Sequence, residues 1–331
     1  MADEGPTESP PGRTRAEGGR EVTSDYEPSV DESAFGSLSS SIKDHVWEYG
    51  RRYHTFRYGR YPMPNDEEEY KRESLRHIML KEVLGGELYL SPIGDNPQKI
   101  IDLGTGFGDW AIEVGEKFPS AKVVGVDLSP IQPVWIPANV EFLVDDIEDE
   151  WVHASDFDFA HLRCIGNSVR DNGKLARTIF QNLKPGGWIE IQDISPKPAS
   201  DDDTLPSDHP FHDFYKLSIE VFKTQYGFNL SYVQTLPEDL ESWGFINVQS
   251  RIYHLPFGEW PKDPELRAIG GCFREVFLSF ANAMATRPFV EFGMDRGEIH
   301  DLMTALKEAL FDKRVHASLP MHYIWAQKPP T

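Results

Sequence analysis

The sequence predicts an α/β fold, a mostly parallel sheet with helices on both faces. Two observations carry that prediction. Between residues 99 and 192 short apolar runs alternate with amphipathic stretches, and the first run opens onto a glycine cluster. Strands that alternate with helical segments imply βαβ crossovers, which are right-handed and parallel.

The elements follow in order. The chain has 331 residues, enough for a substantial core without disulfide staples. Residues 1–38 are rich in Gly, Pro, Ser, Glu and Arg and poor in large apolar side chains, so the composition predicts a disordered tail. Residues 39–95 are expected to form an N-terminal helical cap or lid. Aromatics and arginines interleave over 49–61, where Tyr58 and Arg60 are candidates for contact with a ligand. The following helix should be capped by Asn65 and opened by the acids 66–69; Leu75, Ile78, Met79 and Val83 then recur at helical spacing, and Gly85-Gly86 stop it.

The core is expected over 96–195. Residues 99–103, 122–127, 140–144, 157–162 and 187–192 read as five strands, with helices over 109–118 and 173–183. Residues 196–331 are expected to supply a helical, substrate-binding insertion and the last sheet strands. Helices are predicted over 210–226, 236–243, 264–285 and 296–312, and strands over 245–253 and 322–328 that could extend the sheet at one edge.

Net charge is −21, which disfavours nucleic acid and anionic lipid as partners. The two cysteines, Cys164 and Cys272, form no CxxC or Cys/His ligand spacing, so neither a disulfide framework nor a metal site is expected. No apolar leader and no run long enough to cross a membrane is present, so a cytoplasmic location is expected, with the nucleus as alternative.

The chemistry concentrates in Asp102-Leu103-Gly104-Thr105-Gly106-Phe107-Gly108. Glycines at a strand–helix turn let backbone approach a ligand at the carboxyl ends of the strands. The spacing is G-x-G-x-G, and an acid stands just ahead of it. A pyrophosphate prefers backbone amides without a nearby carboxylate. S-adenosylmethionine has no phosphate and carries an ammonium and a sulfonium, so Asp102 suits it, directly or through water. Gly104, Thr105, Gly106 and Gly108 would wrap its amino-acid end. Asp127 ends the second strand, 25 residues beyond Asp102, where an acid can accept both ribose hydroxyls; Leu128 follows it. After the third strand, Asp145 and Asp146 could accept from an adenine amino group while Ile147 packs on the ring. His161 ends the fourth strand region as a candidate general base. Cys164 reads as a small apolar residue rather than a nucleophile. Either Gln192 or Asp193 could orient a substrate hydroxyl or amine.

The sequence resembles class I S-adenosylmethionine-dependent methyltransferases and, more narrowly, the fungal LaeA-like family of secondary metabolism. The resemblance rests on YGRRY (49–53) with GRYPMPND (59–66), IDLGTGFG (101–108), VDLSPIQP (126–133) with DEW (149–151), and LKPGGW (183–188). It implies a Rossmann-like sheet, S-adenosyl-L-methionine as cofactor and a small-molecule methyl acceptor. It also implies an alternative, a nuclear regulator acting with a velvet-type protein partner. The last third resembles the family only loosely.

Overall fold

The computed structural model describes residues 45–151 and 155–331. The expected tail over 1–38 and the start of the cap over 39–44 lie outside the described residues. The cap opens with a hairpin rather than a helix. Strands β1 (His45–Glu48) and β2 (Arg51–His54) pair antiparallel, Glu48 against Arg51. The two residues between them, Tyr49 and Gly50, both have positive φ, 51° and 76°. A two-residue turn of that hand matches the twist of the strands it joins.

Helix α1 (Glu67–Val83) is capped by Asp66, not Asn65: the Asp66 carboxylate accepts from the Glu69 amide at 3.1 Å. Asn65 instead donates to Ser129 Oγ at 3.3 Å. Gly85 and Gly86, both at positive φ, end the helix as expected. Its buried face differs from the apolar stripe in the sequence. Ile78 is exposed, whereas Glu69, Arg72 and His77 are buried beside Met79 and Leu80.

The remaining strands are β3 (Lys99–Leu103), β4 (Lys122–Asp127), β5 (Val140–Val144), β6 (Phe157–Arg163), β7 (Leu183–Ile194), β8 (Ile246–Pro256) and β9 (Ser318–Gln327). They form one seven-stranded sheet in the order β5-β4-β3-β6-β7-β9-β8. The first five are parallel; β9 runs antiparallel between β7 and β8. The chain winds outward from β3 to β5 and then returns to β6 on the other side of β3. That reversal opens a crevice at the carboxyl ends of β3 and β6.

Alternation along the strands sorts the two faces. Ile100, Val123 and Phe159 pack with Trp110 and Val114 of α2 (Asp109–Lys117). Ile101, Val124 and Leu162 pack with Leu175 of α3 (Asn172–Asn182) and Leu240 of α5 (Leu236–Ser242). A third core covers the crevice. It joins Met79 and Leu80 of α1 to Phe214 of α4 (Pro210–Val221), Phe277 of α6 (Pro264–Met284), Phe289 of α7 (Arg287–Phe292) and Leu306 of α8 (Arg296–Phe311). The helical part after β7 is divided by a strand, as the expected strand over 245–253 implies: α4 and α5 precede β8, and α6–α8 lie between β8 and β9. Among the described residues no helix is long and apolar enough to cross a membrane.

Candidate active site

A cleft of about 820 Å³ lies at the carboxyl ends of β3, β4 and β5, closed from above by residues 60–76. Its inner wall is the turn after β3, which Val126 O pins by accepting from the amides of Gly104 (2.8 Å) and Thr105 (3.0 Å). The three glycines have different reasons to be there. A Cβ on Gly104 would meet Ile165, and one on Gly108 would meet the Phe142 ring, each at 2.5 Å. Only at Gly106, φ +57°, would a Cβ meet nothing within 4 Å. Gly106 lines the cleft and Gly108 does not; Gly108 begins α2 through packing.

Asp127 stands beside Gly106. Its Oδ2 accepts from the Gly106 amide at 2.8 Å and its Oδ1 from the Ser129 amide at 2.9 Å. Burial pushes its carboxyl up to about 6, against the pull of those two amides. Leu128, Asp145, Asp146 and Ile147 line the same end of the cleft. Asp146 accepts from Arg60 Nε at 3.1 Å and from the Glu148 amide at 3.0 Å. Arg60 also donates to Glu148 and to Ser168 O, and lies 5.4 Å over the Phe228 ring. It thereby ties the loop after β5 to the helical cover.

Besides Gly108, four expected site residues sit elsewhere. Asp102 is buried, with Oδ1 on His161 Nδ1 at 2.7 Å and Oδ2 accepting from Thr105 Oγ1 at 2.6 Å. Asp102 and Thr105 therefore brace the glycine turn from behind and line no part of the cleft. His161 is fully buried and stacked on Trp110 at 3.6 Å, its Nε2 without a partner. The pleat explains this correction. His161 lies two residues before the end of β6, and its side chain points to the α2 face; the cleft is reached only from Arg163, Cys164 and Ile165. Tyr58 is half exposed, donates to Glu48 at 2.6 Å and faces a separate shallow groove beside Arg57 and Lys174.

The sequence reading also missed residues. Glu69, Glu73 and Arg76 of α1 line the cleft with Arg163. Arg72 pairs with Glu69 at 2.5 Å and, like Arg76, with Glu73. Burial raises the Glu73 carboxyl, but Arg72 and Arg76 outweigh it and hold the group below its ordinary value. Charged residues at spacing 69, 73 and 76 share one helix face, which is the available signal; in isolation it reads as a solvated face.

A second cavity of about 790 Å³ adjoins the first, sharing Tyr61, Met63, Arg76, Cys164 and Ser168 with it. Its wall is largely aromatic and aliphatic, from Tyr215, Phe222, Leu230, Val276, Phe277 and Phe280. Asp193 lines this chamber, whereas Gln192 is buried under Leu88 and Glu190. Burial pushes the Cys164 thiol up to about 11, so it stays protonated at neutral pH.

A family model described as a methyltransferase domain matches residues 75–255. Methyltransferase pytC of Aspergillus terreus is 36% identical over 321 residues, 96% of this chain and 99% of that protein. The secondary metabolism regulator LAE1 of Cochliobolus heterostrophus is 32% identical over 291 residues, 86% of this chain and 94% of that protein. The protein-methionine methyltransferase laeA of Emericella nidulans is 33% identical over 285 residues, 85% of this chain and 76% of that protein.

Proposed function

This chain belongs to the methyltransferase domain family, and we propose that it moves a methyl group from S-adenosylmethionine, held in the cleft, to a small molecule seated in the adjoining chamber. The observation that carries this reading is the pair Gly106 and Asp127. At Gly106 the missing Cβ leaves the cleft open, and at Asp127 a carboxylate stands beside that opening with both oxygens already aligned by backbone amides.

The donor set fits the cofactor piece by piece. Asp127 suits the two ribose hydroxyls. Leu128 and Ile147 offer an apolar slot to the adenine, with Asp146 at its edge. Glu73 with Arg76 and Arg163 offers both signs of charge to a zwitterionic amino-acid end. Asp102 contributes indirectly, by holding the turn through Thr105.

When bound, the sulfonium supplies a methyl carbon already activated for displacement. The protein's part is then to hold two molecules end to end and exclude water, and proximity of that kind accounts for a large share of a barrier. Met63 and Tyr61 close the junction of the two cavities from above, and Cys164 and Ser168 from below. None of the side chains at this junction is poised as a base near pH 7. Burial raises the Tyr61 phenol and the Cys164 thiol, and Arg72 and Arg76 keep Glu73 ionised and paired. Acceptor position, rather than proton abstraction, is therefore the main service.

The aromatic chamber supports a small-molecule acceptor, and the near full-length likeness to methyltransferase pytC supports methyl transfer itself. A second reading is a nuclear regulator working with a velvet-type partner; the likeness to the secondary metabolism regulator LAE1 supports its regulatory part alone. Labelled S-adenosylmethionine, incubated with the protein and extract from cells that lack it, separates the two. We expect label in a small molecule, read by mass. Label confined to protein, together with co-purification of a partner, would favour the regulator.

A further inference from the structure

Besides the hydroxyls of Tyr61, Ser168 and Tyr215 and the Cys164 thiol, the chamber wall carries two sets of polar groups. Arg72 and Arg76 are cations tied to the acids of their own helix. Asn167 and Asp193 form a separate network opposite the phenylalanines. Asp193, at the end of β7, is fully buried. Its Oδ1 accepts from Asn167 Nδ2 at 2.7 Å and from the Ile194 amide at 2.9 Å. Its Oδ2 accepts from Tyr232 Oη at 2.9 Å and from the Asn167 amide at 3.3 Å. Two carboxylate oxygens offer about four lone-pair sites, so this carboxylate is saturated and has nothing left for a ligand.

That saturation fixes Asn167. An ionised carboxylate only accepts, so the amide must present Nδ2 to it and cannot turn over. The turn itself is held as well: Gly166 lies so close against the Tyr232 phenol that a Cβ there would have no room. What remains is Asn167 Oδ1, buried and without a hydrogen-bond partner on a residue that lines the chamber. A buried acceptor held in place but unpaired is uncommon in folded proteins, and a ligand that brings the donor is one resolution.

We infer that Asn167 anchors the methyl acceptor, its Oδ1 accepting a hydrogen bond from an O–H or N–H group on a flat, largely apolar molecule held among the chamber's rings. This rests on the reading of the chamber as the acceptor's seat. Asp193 and Tyr232 position the amide and do not touch the acceptor. The class implied is a phenol-like compound: aromatic faces for Phe277 and Phe280, and one donor for Asn167.

The test uses the full chain saturated with S-adenosylhomocysteine and two probes of one ring system, 2-naphthol and 2-methoxynaphthalene, titrated by calorimetry. Wild-type protein is expected to bind the naphthol about tenfold more tightly, the usual worth of one good hydrogen bond. In Asn167→Leu, which keeps the shape and removes the acceptor, the preference should vanish while affinity for S-adenosylhomocysteine stays within about twofold. Asn167→Ala serves as a second variant should the leucine disturb folding. Equal binding of the two probes to wild type, no saturable binding of either, or a preference that survives both variants would overturn the inference. Failure of S-adenosylhomocysteine itself to bind would overturn the cofactor reading instead, so the two failures are distinguishable.

Discussion

The cleft and the chamber adjoin, yet they are built by different means. The cleft is made of strand ends: Asp127 ends one strand of the sheet and Gly104, Gly106 and Ile147 follow others, with backbone amides and carbonyls holding Gly104 and Asp127 in place. The chamber is made of side chains from distant stretches, Tyr61, Asp193, Phe222, Leu230 and Phe277 among them, carried by loops, a strand and helices that meet only in the folded chain. The cleft is charged and the chamber is ringed by aromatics. A backbone-built cleft keeps its shape under side-chain change and suits a fixed cofactor. A side-chain-built chamber is re-cut by each substitution, which suits an acceptor that differs between relatives.

The sharpest way to break this comparison is at Gly106. Valine there would place a branched side chain in the cleft at φ +57°, a region that β-branched residues avoid. Gly106→Val is expected to weaken S-adenosylhomocysteine more than about a hundredfold while the melting temperature moves by only a few degrees, given that the strain is about 1–2 kcal/mol. Unchanged affinity in calorimetry would remove the cleft from consideration as the cofactor site.

A smaller loss is expected at Asp127. Asp127→Asn removes a charged acceptor, worth about 1.5–3 kcal/mol, so cofactor affinity should drop roughly tenfold to a hundredfold. The same carboxyl sharpens the comparison through pH. Its value is raised, to about 6, so it is ionised at pH 7 and above and takes up a proton as pH falls through 6. Only the ionised form accepts from both ribose hydroxyls. Affinity for S-adenosylhomocysteine should therefore be flat above about pH 7 and fall about tenfold per unit below pH 6. The carboxamide of the D127N variant has no proton to gain, so its profile should be flat; a wild-type profile without the fall would sink the assignment.

The smallest effect on chemistry is expected at His161. His161→Gln should cost about 1–3 kcal/mol of stability, through the stack on Trp110 and the bond to Asp102. The pH dependence of methyl transfer should keep its shape. Loss of one limb of that profile with stability intact would return His161 to the role of base.

How much of this was legible in the sequence follows the same division. The runs 122–127 and 140–144 appear as strands with the bounds their apolar composition suggests, because a buried parallel strand reads as a continuous apolar run. Asp127 was legible because it ends such a run. The hairpin was not, although Tyr49-Gly50 between two four-residue segments is a turn signal; the aromatic and basic composition around it masks the alternation. The acids and arginines of α1 were not legible as a cleft wall, because nothing local tells a solvated charged face from one turned inward to partners.

By itself, then, the sequence determined the alternation of elements, the glycine turn, and the acid that ends β4, all of which depend on propensities and periodicities that act within a few residues. The tertiary structure alone decided that Asp102 faces His161 and lines no part of the cleft, since that contact comes from the register of β3 against β6. It also decided that Asn167, Asp193 and Tyr232 form one network, because residues 26 and 39 positions apart meet only when β6, β7 and the turn before α5 are packed together. Register and packing are set by burial summed over the whole sheet and its helical cover, a quantity that no local stretch contains.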